Sequence, residues 1–110
     1  MQVGSLMLIA LLGAHCFFDY AGQGDFMAKA KNPEAPLPGV PWRVVLMAHA
    51  TIHGAAVALI TGIWWLFALE YVLHYVTDKL KCEGEIDFRQ DQAVHITCKL
   101  AWFAIAWAAA

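Results

Sequence analysis

The chain has few charges and no basic cluster. Its 110 residues hold 7 Lys and Arg against 9 Asp and Glu, for a net charge of −2. With no basic run or patch, no nucleic-acid surface is expected. Cysteine is scarce as well. Cys16, Cys82 and Cys98 are odd in number and contain no C-x-x-C pair, so they indicate neither a disulfide framework nor a zinc ribbon. They read as small apolar fillers. Cys98, three residues after His95 and on its face, is a minor candidate ligand. Proline is absent outside a single stretch, because all 4 lie between Pro33 and Pro41, and the remainder is free to form long helices. No Lys or Arg precedes the first apolar run, and no A-x-A-like cleavage pattern follows it. The Gly-Ala-His before Cys16 also makes a poor lipoprotein site. The first segment is therefore expected to be a retained helix rather than a signal peptide.

Apolar residues are what the chain has in excess. They make up 61% of the sequence, with a mean hydropathy of +0.56, against about 45–50% in ordinary soluble domains. The expected fold is all-α: a single polytopic membrane domain over residues 1–110, with four transmembrane helices in two hairpins. The first helix covers about 3–20. Residues 21–41 form a proline-rich loop, in which Asp25 to Lys31 can make a short interfacial helix. The apolar run from Trp42 to Leu80 is about twice the ~20 residues one span requires. It divides into helices at about 42–61 and 63–80, joined by a tight turn at Thr61, Gly62 and Ile63. Pro41 fits the first turn of the second helix and Trp42 a membrane interface. Asp87 with Gln90 three later resembles a capping box opening a fourth helix over about 88–108.

Charge sets the topology. Lys29, Lys31 and Arg43 flank the first loop, and Lys79, Lys81 and Arg89 flank the third. The positive-inside rule puts both loops in the cytoplasm and both termini on the non-cytoplasmic side. The expected location is a bacterial inner membrane, crossed several times. The expected partners are the lipid bilayer and a second copy of the chain, with no nucleic acid.

Every histidine has an ionisable partner four residues away: His15 with Asp19, His49 with His53, His74 with Glu70 and Asp78, and His95 with Asp91. On a helix, residues four apart share a face. A charge at mid-bilayer costs about 2.5–3.5 kcal/mol on insertion scales, so four such segments point to joint use. Counted from the cytoplasmic helix ends, Asp19, Asp78 and Asp91 fall in the first turn. His15, His49, His74 and His95 lie roughly 8–10 Å in, at about 1.5 Å per residue. His53, Glu70 and Lys99 form a deeper layer. Helix one ending His15-x3-Asp19 and helix three ending His74-x3-Asp78 also suggest two similar hairpins with the site between them.

Imidazole and carboxylate together suit zinc first, with iron or manganese as alternatives. The expected metal ligands are His15, Asp19, His49, His53, His74, Asp78, Asp91 and His95, the aspartates being ligands or groups that orient the imidazoles. His49-x3-His53 is the strongest pair, since two imidazoles can chelate one ion. No Glu follows His49, so this is not the metalloprotease motif. An open coordination position would permit metal-dependent hydrolysis of a membrane-associated substrate. Glu70 is then the candidate general base, and Lys99 pairs with it or polarises a substrate oxygen. Haem, held by two imidazoles, is a rival occupant.

Plainer readings compete. Single His–Asp pairs commonly act as interhelical hydrogen bonds, helix-end aspartates are commonly solvated, and Lys99 can snorkel. Trp64, Trp65, Trp102 and Trp107 read as an aromatic belt. An ion or proton path is an alternative function, but Thr61, Gln2 and Ser5 are the few polar residues towards the far face. An oligomerising, non-enzymatic phage or envelope component is another.

The order His15-x3-Asp19-x3-Gln23-x-Asp25-x-Met27-Ala28-x2-Lys31, His49-x3-His53, His74-x3-Asp78-x2-Lys81 and Phe88-x2-Asp91-Gln92-x2-His95 resembles an uncharacterised family of small bacterial and phage membrane proteins, a domain of unknown function. The resemblance spans about Leu11 to Leu100 and is similar in style to membrane-bound metal-dependent hydrolases. It implies a four-helix membrane fold and supplies no substrate. Gln23 and Asp25 would then cap or gate the site from the loop.

Overall fold

The computed structural model describes residues 3–110, and every element in it is helical. Gln2 lies outside the described residues. Helix α1 (Val3–Cys16) runs into a π-helical turn at Phe17–Ala21. A short helix, α2 (Gly24–Ala30), follows within the expected loop. Then come α3 (Trp42–Thr61), α4 (Leu66–Cys82) and α5 (Phe88–Ala109).

The helix ends follow local chemistry. Pro41, extended at φ −69° and ψ 112°, caps α3 from outside rather than sitting in its first turn. At the other end Gly62 adopts φ +73° and donates its N–H to Ala58 O, the left-handed closure that glycine makes at low cost. The chain then spends Ile63 to Trp65 in a turn before α4 begins. The third long helix therefore starts at Leu66, not at 63, and extends to Cys82, not 80. Asp87 and Gln90 form the expected reciprocal capping box at the start of α5.

The four long helices form a bundle in which α3 packs on α4, α4 on α5, α5 on α1 and α1 on α3. α3 also touches α5 across the diagonal, leaving α1 and α4 at opposite corners. Gly54 allows the α3–α4 approach: a Cβ there would lie 3.0 Å from the Phe67 carbonyl oxygen. At one end of the bundle Trp107 covers Gly4.

Two stretches are long and apolar enough to cross a membrane, Gly4–Ala21 and Trp42–Thr61. Four were expected. α4 is shorter, at 17 residues, and carries Glu70, Asp78, Lys79 and Lys81. α5 carries Arg89, Asp91 and Lys99. These charges lower the apolar content of the segment whichever way the side chains face.

The side chains face in a revealing pattern. Leu69, Val72, Leu73 and Val76 of α4 are exposed, as are Val94, Leu100 and Trp107 of α5. Six ionisable residues of the same helices, Glu70, His74, Asp78, Asp91, His95 and Lys99, are buried, while Lys79, Lys81 and Arg89 near the helix ends are not. Leu59 is 84% exposed while Lys99 is 1% exposed. A water-soluble bundle has the opposite arrangement. Past the polar interior, Leu11, Val57, Leu66 and Trp102 close the bundle with an apolar cluster.

Candidate metal centre

All ten residues expected at the site are brought together in the bundle interior. α1 and its π-helical turn bring His15 and Asp19. α3 brings His49 and His53, one turn apart with ring centroids separated by 4.7 Å. Glu70, His74 and Asp78 come from successive turns of α4, and Asp91, His95 and Lys99 from successive turns of α5. Helical spacing alone puts each set on one face. The aspartates are 9%, 2% and 2% exposed, so they are interior groups and not solvated helix ends.

His74 is the centre of the arrangement. Its ring stacks between His53, at 3.7 Å between centroids, and His95, at 4.1 Å. His74 Nδ1 is 3.3 Å from Glu70 Oε1. A carboxylate accepts only, so Nδ1 carries the proton and Nε2 presents a lone pair. That lone pair points at His49 Nε2, 3.1 Å away, and Asp19 Oδ1, 3.5 Å away.

The nitrogens outnumber what protons can join. His49 Nε2 lies 3.1 Å from Asp19 Oδ1, from Asp78 Oδ2 and from His74 Nε2. One N–H serves one acceptor well, not three. His53 Nε2 is 3.3 Å from Asp19 Oδ1, yet it has no hydrogen-bond partner. Buried polar atoms without partners are uncommon and need a physical reason. A cation supplies one. Ligand bonds of about 2.0–2.1 Å put neighbouring donor atoms about 3–3.4 Å apart, the spacing seen here. Asp19, His49, His53 and His74 offer four donor atoms within 4.8 Å of one another, and His74–Asp78–His95 and Asp19–Asp91–His95 form two further groups that can hold an ion.

His15 joins none of these groups. Its Nε2 donates to Gln92 Oε1 at 2.9 Å, and the Gln92 amide nitrogen donates to Asp19 Oδ2 and Asp91 Oδ2, both at 3.0 Å. His15 thus orients a glutamine that holds two aspartates. Cys98 packs against the apolar cluster, outside the three ligand groups.

Glu70 and Lys99 lie beneath the centre. Lys99 Nζ donates to Glu70 Oε1, and Trp102 Nε1 donates to Glu70 Oε2 at 2.8 Å. Lys99 is therefore paired inside the bundle rather than snorkelling, and Trp102 is buried rather than part of a belt; Trp64, Trp65 and Trp107 are exposed. Neither Glu70 nor Lys99 reaches the mouth. That mouth is a cavity of about 80 Å³ bounded by Asp19, Asp78, Asp91, Gln92, Lys31 and Lys81.

Three contributors escaped the sequence reading. Lys31, 7% exposed at the end of α2, donates to Asp78 Oδ2 at 2.7 Å. Gln92 and Trp102 complete the hydrogen bonding. Lys31 and Gln92 stand within the quoted motif, but their partners are 47 and 73 residues distant in sequence, beyond any local spacing rule. Gln23 lies at the mouth and donates to Asp19 O, while Asp25 is exposed.

A family model described as a protein of unknown function (DUF3307) matches residues 7–110. No curated protein and no solved structure matches the chain. The chain belongs to the DUF3307 family.

Proposed function

We propose that this DUF3307 protein is a membrane-embedded metalloprotein that uses a divalent ion, zinc first, to hydrolyse a membrane-associated ester or phosphoester. One observation carries the reading: four buried donors from three helices converge without enough protons to satisfy them, beside a cavity open at the polar end. Asp19, His49, His53 and His74 hold the ion. The ion supplies Lewis acidity, which activates water and polarises the substrate oxygen. Asp78 and Asp91 at the mouth would accept the proton that water loses, and Glu70 would position His74 through Nδ1 instead of acting as the base.

Membrane residence rests on the inverted surface. All four long helices turn large apolar residues outward along their middles and keep their mid-helix ionisable residues inward, with Arg43, Lys79, Lys81 and Arg89 exposed or half-buried only near helix ends, the arrangement lipid favours. On this reading α4 and α5 cross with the other two, and the charged loops lie on the cytoplasmic side. The apolar cluster beyond the site argues against a continuous ion path.

The test is elemental analysis of detergent-purified protein beside His49→Ala/His53→Ala. Near-stoichiometric metal that disappears in the variant supports the centre and justifies screening phosphoesters. No metal in either protein after reloading would leave these residues as interhelical hydrogen bonds.

A further inference from the structure

We infer that the centre takes two divalent ions, bridged by Asp78, with the second held by Asp78, Asp91 and His95; this rests on the proposed metal centre. Asp78 faces both ways. Its Oδ2 is 3.1 Å from His49 Nε2 and 3.7 Å from His74 Nε2, and its Oδ1 is 3.2 Å from His95 Nε2. A carboxylate so placed can give one oxygen to each of two ions, with an ion on Oδ2 displacing Lys31 Nζ, which donates to it at 2.7 Å.

The second position has its own unsatisfied donor. Asp91 Oδ1 is buried with no hydrogen-bond partner, 3.2 Å from His95 Nε2. His95 Nε2 faces Asp78 Oδ1 at the same distance, so one imidazole nitrogen stands between two carboxylate oxygens. As a neutral ligand it would bring both onto one ion. Of the four orphaned atoms, His15 Nδ1 and Gln23 Oε1 lie outside the donor groups, whereas His53 Nε2 and Asp91 Oδ1 fall in different ones, and a single ion beside His53 does not account for Asp91. Asp19 belongs to the first group and also to one with Asp91 and His95, so it can serve as a second bridge.

Charge adds a condition. With neutral histidines, Asp19, Asp78 and Asp91 against Lys31 leave a deficit that one divalent ion cancels. A second divalent ion therefore brings two positive charges that the protein side chains do not cancel: one hydroxide would offset half of them, and an anionic substrate such as a phosphoester the rest.

Metal stoichiometry decides the matter. Detergent-purified protein, stripped and reloaded with Zn2+, is expected to retain two equivalents per chain, and Asp91→Asn/His95→Ala to retain one. Loading with Mn2+ should give an exchange-coupled EPR spectrum, as for ions about 3.5–4 Å apart. One equivalent in the wild type, or an isolated-ion spectrum at saturation, overturns the second site and leaves the first intact. No bound metal at all overturns the metal centre itself. Should the double variant fail to fold, the wild-type Mn2+ spectrum decides alone.

Discussion

A neutral imidazole has one N–H and one lone pair, so each histidine of the centre can donate on one side and ligate on the other. His74 meets Glu70 through Nδ1, which leaves Nε2 for the proposed ion, and Glu70 is fixed in turn by Lys99 and Trp102. His15 donates through Nε2 to Gln92 and orients neighbours instead. Glu70→Gln should lower zinc affinity by about 10–100-fold, the usual effect of removing a group that orients a ligand. Chelator competition measures this; unchanged affinity would detach Glu70 from the centre. Lys31 is a second case at this scale. Its ammonium occupies Asp78 Oδ2 at 2.7 Å, competing with any ion there. Lys31→Met should tighten zinc binding in the same titration, and weaker binding would show that Lys31 supports Asp78 rather than blocking it.

The helices place these groups through features that are not themselves chemical. α1 opens into a π-helical turn where Asp19 must turn inward, a distortion often found at functional sites. α3 and α4 approach closely because Gly54 offers no side chain, and the Phe67 carbonyl occupies the space a Cβ would need. Gly54→Leu should therefore force the two helices apart. The expected cost is about 1–3 kcal/mol of overpacking, seen as a lower melting temperature in detergent together with weaker metal retention. If stability falls and metal affinity is unchanged, the α3–α4 spacing does not govern the ligand geometry. α2 carries Lys31 to the mouth, which gives a structural use to the stretch between α1 and α3.

For the molecule as a whole, the environment is the question. Two stretches satisfy the length and composition of a span, and two more helices share their apolar exterior without satisfying it. The proposed four crossings predict a labelling pattern. Single cysteines at Gly39 and Glu85, placed in a chain whose own cysteines are removed, should react with an impermeant maleimide from one face. A cysteine at Trp64 should react from the other. Reaction of all three from the same face would refute four crossings and leave α4 and α5 as helices that do not span.

The sequence by itself determined the helices and the inventory of the site. Long apolar runs, the prolines confined to one stretch, Gly62 at a helix end and the Asp87–Gln90 box act within a few residues, so a linear reading finds them. The His and Asp pairs at four-residue spacing were legible for the same reason, because a helix fixes that geometry locally. Only the tertiary structure decided which donors meet and what each one does. It placed four of the five histidines in groups that could hold an ion and the fifth, His15, against Gln92, set Glu70 and Lys99 behind them, turned Trp102 inward, and brought Lys31 and Gln92 to aspartates far along the chain. Those outcomes depend on how helices cross and how far apart they lie. Helix crossing is set by packing details such as Gly54 against Phe67, which no spacing rule within one helix contains.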